Sequence, residues 1–167
     1  MIPATQHHPF EPLFDEKSSI LILGSFPSIK SRETGFYYGH PQNRFWRVIA
    51  SLFSAPLPHT VDEKRALLSS SHIALWDSIA SCTISGSSDS SIKNAIPNDI
   101  SMILSAAPIR SIFCNGQASF RCYNRYIFPC IDIPATCLPS TSAANASWSF
   151  ERLIEAWKII YIQSKHD

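Results

Sequence analysis

Apolar residues along this chain fall into short runs separated by stretches with helical periodicity, and the two kinds of segment alternate. Ser19-Ile-Leu-Ile-Leu-Gly24 is short, aliphatic and closed by glycine, which predicts a strand buried on both faces of a parallel sheet. Phe45, Val48, Ile49, Leu52 and Phe53 then recur at helical spacing. Pro41 suits a first helical position, so His40-Pro41 is predicted to open a helix of about three turns. Asp62 to Ser70 reads as a second helix and His72-Ile-Ala-Leu-Trp76 as a second strand. Pro97-Asn98-Asp99 is expected to cap a helix running through Ala106. Arg110 to Cys114 predicts a third strand, Gln117 to Tyr126 another helix, and Ile131 to Leu138 a fourth strand. From Ala144 onward, Phe150, Leu153, Ile154, Trp157, Ile160 and Tyr161 share one face, which predicts a long amphipathic closing helix.

Strands alternating with helices imply an α/β fold: a three-layer α/β/α sandwich around a mainly parallel four-stranded central sheet. Ligands of such sheets bind beyond the carboxyl ends of the strands. Those ends are Gly24-Ser28, Trp76-Ser81, Cys114-Gln117 and Pro139-Asn145, so function is sought in these four loops. No repeat, low-complexity tract or linker interrupts the pattern. At 167 residues and 45% hydrophobic, residues 1–167 are expected to form one domain. A chain of this size buries roughly two-thirds of its unfolded surface.

Composition narrows the partners. The formal net charge is only +1, so a bulk positive field cannot hold nucleic acid. Any such binding needs a local patch, helix N-termini and backbone amides, with Arg32, Arg44, Arg47, Lys93, Arg121 and Arg125 as the available cations. Cys82, Cys114, Cys122, Cys130 and Cys137 contain no C-x-x-C pair and match no zinc or iron–sulfur spacing, so reduced, mostly buried thiols and no metal are expected. The apolar runs are far shorter than the roughly 20 residues of a membrane helix, and MIPATQHHPF lacks the plan of a signal peptide. A cytoplasmic monomer is the expectation.

The chemistry becomes specific between Gly24 and Arg47. Gly24-Ser-Phe-Pro-Ser28, followed by Gly35-Phe-Tyr-Tyr-Gly-His-Pro-Gln-Asn-Arg-Phe-Trp46, resembles the uracil-DNA glycosylase superfamily, in particular its mismatch-specific and hypoxanthine (deoxyinosine) branches. The resemblance continues, in family order, through Leu75-Trp-Asp77, Gly86 to Asn94, Cys114-Asn-Gly-Gln117 and Leu138-Pro-Ser-Thr-Ser142. It implies a DNA repair enzyme that hydrolyses the glycosidic bond of a deaminated base without a cofactor. Where the mismatch branch has a catalytic Asn and the common uracil enzymes an Asp, this chain has Phe26, which can neither orient water nor accept a proton. The hypoxanthine branch shares G-S-F-P-S and gives the catalytic role to the Asn of H-P-Q-N, here Asn43. One departure stands out: Ala143 occupies the usual Pro of S-T-S-P-A-N-A, which loosens that loop.

The resemblance and the residue types together give a set of site residues. Asn43 is the catalytic candidate. Its amide donates and accepts but does not titrate near neutral pH, so it can orient water or bind the leaving base and cannot act as a general base. Phe26 and Tyr38 are candidate stacking platforms for an extruded base, and stacking contributes about 1–3 kcal/mol. Asp77 and Asn115 are candidates for reading the base edge. Ser25, Ser28, His40, Ser88, Ser91, Lys93, Ser140, Thr141 and Ser142 are candidates for gripping DNA. Structural alternatives remain open at this stage: Asn43 as a satisfier of helix-start N–H groups, Tyr38 as core, His40 as a cap, Asp77 as a loop cap, and Ser140 to Ser142 as caps. Among other function classes, a serine hydrolase is disfavoured because G-x-S-x-G is absent. A uracil or mismatch glycosylase and a non-catalytic damaged-DNA-binding module are the competing readings.

Overall fold

A computed structural model of the protein describes residues 4–84 and 92–165. Its centre is a parallel sheet of β2 (Ile20–Gly24), β3 (Ile73–Asp77), β6 (Ser111–Asn115) and β7 (Thr136–Leu138), in the spatial order β3-β2-β6-β7. Every residue of β2 is buried, odd and even positions alike, so both faces of the sheet are covered, as the continuous aliphatic run requires. Helices α2 (Phe45–Leu52) and α7 (Phe150–Ser164) pack on each other, and α7 also meets β2. Helix α3 (Val61–Ser70) packs on β3, and α5 (Gln117–Cys122) packs on β6 and β7. The expected α/β/α layering with a four-stranded parallel sheet is therefore present.

Strand register decides where the site lies. Gly24 is opposite Asp77, Leu23 is opposite Cys114, and Asn115 is opposite Leu138. The carboxyl ends of all four strands thus finish side by side.

A second sheet departs from the expectation. Strands β1 (Ala4–His7), β4 (Ile79–Ile84) and β5 (Lys93–Pro97) form an antiparallel sheet in the order β1-β4-β5. The segment after Trp76, expected as a loop, is instead Ser78 and then β4. Of Pro97-Asn98-Asp99, expected as a helix cap, Pro97 ends β5, Asn98 turns back to the carbonyls of Asp77 and Ile79, and Asp99 Oδ1 accepts from Ser101 N–H at the start of the next helix. The helix that follows, α4, spans only Ser101–Ala106. Phe26, Ile79, Cys82 and Ile84 form a small core of their own beneath this sheet. These strands are short and mixed in polarity, with β5 mostly exposed, so no strict alternation marks them in the sequence.

Other boundaries shift for local reasons. Helix α2 starts at Phe45, not at His40-Pro41, because residues 40–44 form turns tied to other loops. A short helix α1 (Ile29–Thr34) follows β2, capped by Ser28, whose Oγ accepts from Ser31 N–H. Helix α5 continues into a π-helical turn at Tyr123–Ile127 and then α6 (Phe128–Ile131). The fourth strand is consequently confined to Thr136–Leu138. Helix α7 begins at Phe150, behind an N-cap at Ser149, so the loop after β7 is longer than expected from Ala144. Among the described residues no helix is long and apolar enough to cross a membrane.

Candidate active site

The carboxyl ends of the parallel strands enclose a cavity of about 110 Å³ lined by Gly24, Ser25, Phe26, Ser28, Tyr37, Tyr38, Asn43, Asp77, Asn115 and the loop from Ser140 to Ser142. It adjoins a groove of about 1040 Å³ walled by His40, Gln42, Gln117, Arg121, Pro139, Ala143 and Trp148, among others. Ten of the residues expected at the site therefore meet in one place: Ser25, Phe26, Ser28, Tyr38, Asn43, Asp77, Asn115, Ser140, Thr141 and Ser142. His40 lies on the groove, exposed, with its Nδ1 accepting from Gln42 N–H. Lys93 lies on the exposed strand β5 and lines neither space. Ser88 and Ser91 lie outside the described residues.

One wall of the cavity is a chain of neutral hydrogen bonds. Asn115 Nδ2 donates to Thr141 Oγ1 at 3.0 Å, and Thr141 Oγ1 donates to Asn43 Oδ1 at 2.9 Å. Thr141 N–H returns to Asn115 Oδ1 at 3.1 Å. Asn43 Oδ1 also accepts from Phe45 N–H at 2.9 Å, which fixes which end of the amide is oxygen. The capping and catalytic alternatives for Asn43 are thus not exclusive. Its oxygen satisfies the start of α2, while its Nδ2 donates to no group among the described residues and belongs to a cavity-lining side chain.

The opposite wall carries charge among aromatic rings. His8 Nε2 donates to Asp77 Oδ2 at 2.7 Å, with the Asp77 and His8 side chains only 5% and 4% exposed. Phe10, Phe26, Tyr37 and Trp76 surround the imidazole. The Nδ1 of His8 lies 2.9 Å from Phe10 O. Asn98 Nδ2 donates to Asp77 O and Ile79 O, so the backbone beneath the carboxylate is also held. Asp77 is therefore not a loop cap. Burial, and then the Asp77 carboxylate nearby, push the Tyr37 hydroxyl well above its ordinary range; it stays a donor, bonded to Glu11 O at 2.7 Å. Tyr38 lines the cavity with a left-handed backbone (φ 53°), and its ring stacks on buried Phe45 at 4.1 Å, which sets its orientation.

Two glycine positions follow from this crowding. A Cβ on Gly24 would lie 2.3 Å from Asp77 Oδ1 and 3.0 Å from Tyr38 Oη, so the first strand must end in glycine for the carboxylate to sit over it. Gly116 needs its positive φ of 96° to turn the chain beneath Ser140.

The cations expected to meet phosphate are mostly committed elsewhere. The Arg44 guanidinium donates to the carbonyls of Ser142, Asn145 and Trp148, and its N–H donates to Thr141 O at 3.0 Å. This clamp holds the very loop that Ala143 was expected to loosen. Arg47 and Arg125 lie over the rings of Phe150 and Tyr126. Arg121 is the one of the six that walls the groove. His8 and the clamping role of Arg44 escaped the sequence reading. Only the His7-His8 pair near the N-terminus was a signal for the former, and for the latter there was none.

A model of the uracil DNA glycosylase superfamily matches residues 11–160. The chain belongs to that superfamily. A hypoxanthine DNA glycosylase of Methanosarcina acetivorans is 33% identical over 156 residues, covering 91% of this chain and 96% of its own. Another hypoxanthine DNA glycosylase, from Methanosarcina barkeri, is 36% identical over 112 residues, covering 66% of this chain and 71% of its own. The solution NMR structure of a candidate uracil DNA glycosylase from Methanosarcina acetivorans superposes with a TM-score of 0.82 at 31% identity, spanning 98% of this chain and 100% of that one. For a superfamily member, the small cavity beside a wider groove fits an extruded base beside its strand: the base must leave the stack before its glycosidic bond is accessible.

Proposed function

We propose that this protein hydrolyses the N-glycosidic bond of hypoxanthine in deoxyinosine-containing DNA and leaves an abasic site. The observation that carries the reading is the composition of the cavity: one acceptor-only carboxylate, Asp77, faces one neutral amide, Asn43, with Phe26 in the slot where uracil and mismatch enzymes carry Asp or Asn. The two relatives named hypoxanthine DNA glycosylases support the same branch.

Asn43 is the catalytic residue in this proposal. With its oxygen taken by Phe45 N–H and Thr141, its Nδ2 is the group left to stabilise charge on the departing base. Bond cleavage passes through a sugar with oxocarbenium character, so a leaving group relieved of charge lowers the barrier directly. Tyr38, backed by Phe45, and Phe26 supply apolar faces for the extruded base, and Asp77 with Asn115 reads its edge. Ser25, Ser28, Ser140, Ser142 and His40 line the approach of the DNA backbone; Thr141, expected to join them, is fully buried with its hydroxyl and N–H given to Asn43 and Asn115, and Lys93 lines neither space. No lysine lines the cavity among the described residues, which supports a monofunctional enzyme, since strand cleavage through a Schiff base starts from an amine.

The test is direct. Purified protein incubated with oligonucleotides carrying deoxyinosine, deoxyuridine or deoxyxanthosine, then treated with alkali to cut abasic sites, should release hypoxanthine faster than uracil. Strand cleavage only after alkali supports the monofunctional reading. Product with deoxyuridine alone would assign the chain to a uracil-specific role instead.

A further inference from the structure

We infer that His8 is a specificity-positioning residue, which holds the Asp77 carboxylate in one orientation so that Oδ1 alone faces the base and selects purines bearing a ring N–H beside a carbonyl. The inference rests on the proposed hypoxanthine chemistry and concerns how the same cavity tells that base from others.

The geometry begins outside the family motifs. Strand β1 pairs with β4, His7 opposite Ser81, and His8 N–H continues the ladder to Ala80 O at 2.7 Å. The chain then runs along the edge of the parallel sheet, where Leu13 bridges to Leu75 on β3. These two anchors bring the His8 ring to the end of β3, where Asp77 finishes the strand. Asp77 Oδ2 is engaged by His8, whereas Oδ1 lies over Gly24 and accepts from no group among the described residues.

An ionised carboxylate is an acceptor only. Held with Oδ1 toward the base, it accepts from the N1–H of a 6-oxopurine and repels the lone pair that N1 carries in a purine without that proton. A carboxylate free to rotate would lose this discrimination, because it could turn to reach another donor. The hydrogen bond matters as well. Electron density flows onto the base as its bond to the sugar breaks, and a lone buried anion would oppose that flow; the N–H that His8 directs at Asp77 Oδ2 draws part of the charge away from the base. Tyr37, also in contact with the His8 ring, cannot substitute, since its hydroxyl is already given to Glu11 O.

The experiment compares deoxyinosine with deoxynebularine, whose purine base has an unprotonated N1 and no carbonyl, in the same duplex. The quantity read is the ratio of kcat/KM for the two substrates, so differences in their inherent reactivity cancel between variants. His8→Phe keeps the aromatic packing and removes the donor; His8→Leu takes its place if the first does not fold, as judged by thermal melting. The ratio should fall at least tenfold, through loss of the deoxyinosine rate, while His8→Gln, which still donates, should keep it within about threefold of wild type. An equal fall in a folded glutamine variant would show that a donor to Asp77 does not set the ratio and would overturn the positioning role. A ratio unchanged in the variant lacking a donor, whatever its melting temperature, overturns it. Wild-type protein that released no hypoxanthine at all would instead overturn the proposed function, which keeps the two failures distinct.

Discussion

The two walls of the cavity are built on opposite physical plans. The Asn43 wall is neutral, and each polar group in it is oriented by another: Asn115 to Thr141 to Asn43, with the start of α2 taking the rest. The Asp77 wall is charged, nearly sealed from water and surrounded by rings, and it depends on a single partner delivered from the N-terminal strand. Hydrogen bonds between neutral groups can be lost one at a time at about 1 kcal/mol each. Removing the partner of a buried carboxylate leaves that group unsatisfied and costs more. The difference teaches that orientation on one side is distributed and on the other concentrated, and each plan fails in its own way.

The largest effect should come from the neutral wall, because it holds the catalytic group. Asn43→Ala should lower the single-turnover rate by about a hundredfold or more, as loss of one placed donor commonly does. Asn43→Asp sharpens the point. An aspartate can still accept from Phe45 N–H and Thr141, so the fold and melting temperature should hold, yet the Nδ2 donor is gone and activity should go with it. Near-wild-type turnover in Asn43→Asp would mean that the amide nitrogen is not the working atom.

Next in size is a perturbation of the charged wall from behind. Gly24→Ala puts a methyl group 2.3 Å from Asp77 Oδ1, so the carboxylate must move while His8 holds its Oδ2 and Asn98 holds the Asp77 backbone carbonyl. A disrupted charge-assisted hydrogen bond is worth about 1.5–3 kcal/mol, or roughly a tenfold or greater loss in kcat/KM on deoxyinosine. Unchanged kcat/KM would show that Asp77 does not touch the base.

The same contrast explains what was legible in the sequence. Strands β2, β3 and β6 were readable because a strand buried on both faces is written as an uninterrupted apolar run, and Ile20 to Leu23 is one; the fourth, short and only half-buried, was expected to start at Ile131, which lies in a helix. From them the site's position followed, since the strand ends align in register. The neutral wall was readable too, as its residues sit in loops with distinctive motifs. The charged wall was half readable: Asp77 ends a strand, but its partner His8 lies 69 residues away in the chain, joined through an antiparallel sheet whose short, half-exposed strands carry no periodic signal. Helix starts were misplaced for a related reason. Pro41 suits a helix opening, yet residues 40–44 are held by contacts to Thr141 and the loop after β7, and such tertiary ties override local preference.

A third perturbation tests whether the neutral wall needs its outer clamp. Arg44→Ala would leave the carbonyls of Ser142, Asn145 and Trp148 without their common donor. A loss of stability of about 1–3 kcal/mol is expected by chemical denaturation, if water only partly replaces the guanidinium. Arg44→Lys should recover little of it, because a point charge on a flexible stem cannot serve three carbonyls as a planar fork does. Full recovery by lysine would reduce the clamp to a charge effect.

The smallest effect, and the one that separates the two plans most finely, is expected from Thr141→Val. Thr141 is fully buried, and valine matches its shape and branching, so packing is preserved and only the hydroxyl is lost. That hydroxyl accepts from Asn115 and donates to Asn43, so its removal opens the relay at the middle while Asn43 Oδ1 keeps Phe45 N–H. With one of two partners remaining, the amide should stay close to its place but be less firmly aimed. The expected cost is about 1 kcal/mol, seen as a roughly fivefold slower single turnover and a similar small loss of stability. Thr141→Ser restores the hydroxyl and should restore the rate. If valine were to slow the reaction as much as Asn43→Ala does, orientation would rest on Thr141 alone, and the neutral wall would be as concentrated as the charged one. Were valine to leave the rate untouched, Phe45 N–H would suffice to aim Asn43, and the link through Thr141 to Asn115 would serve the loop and not the chemistry.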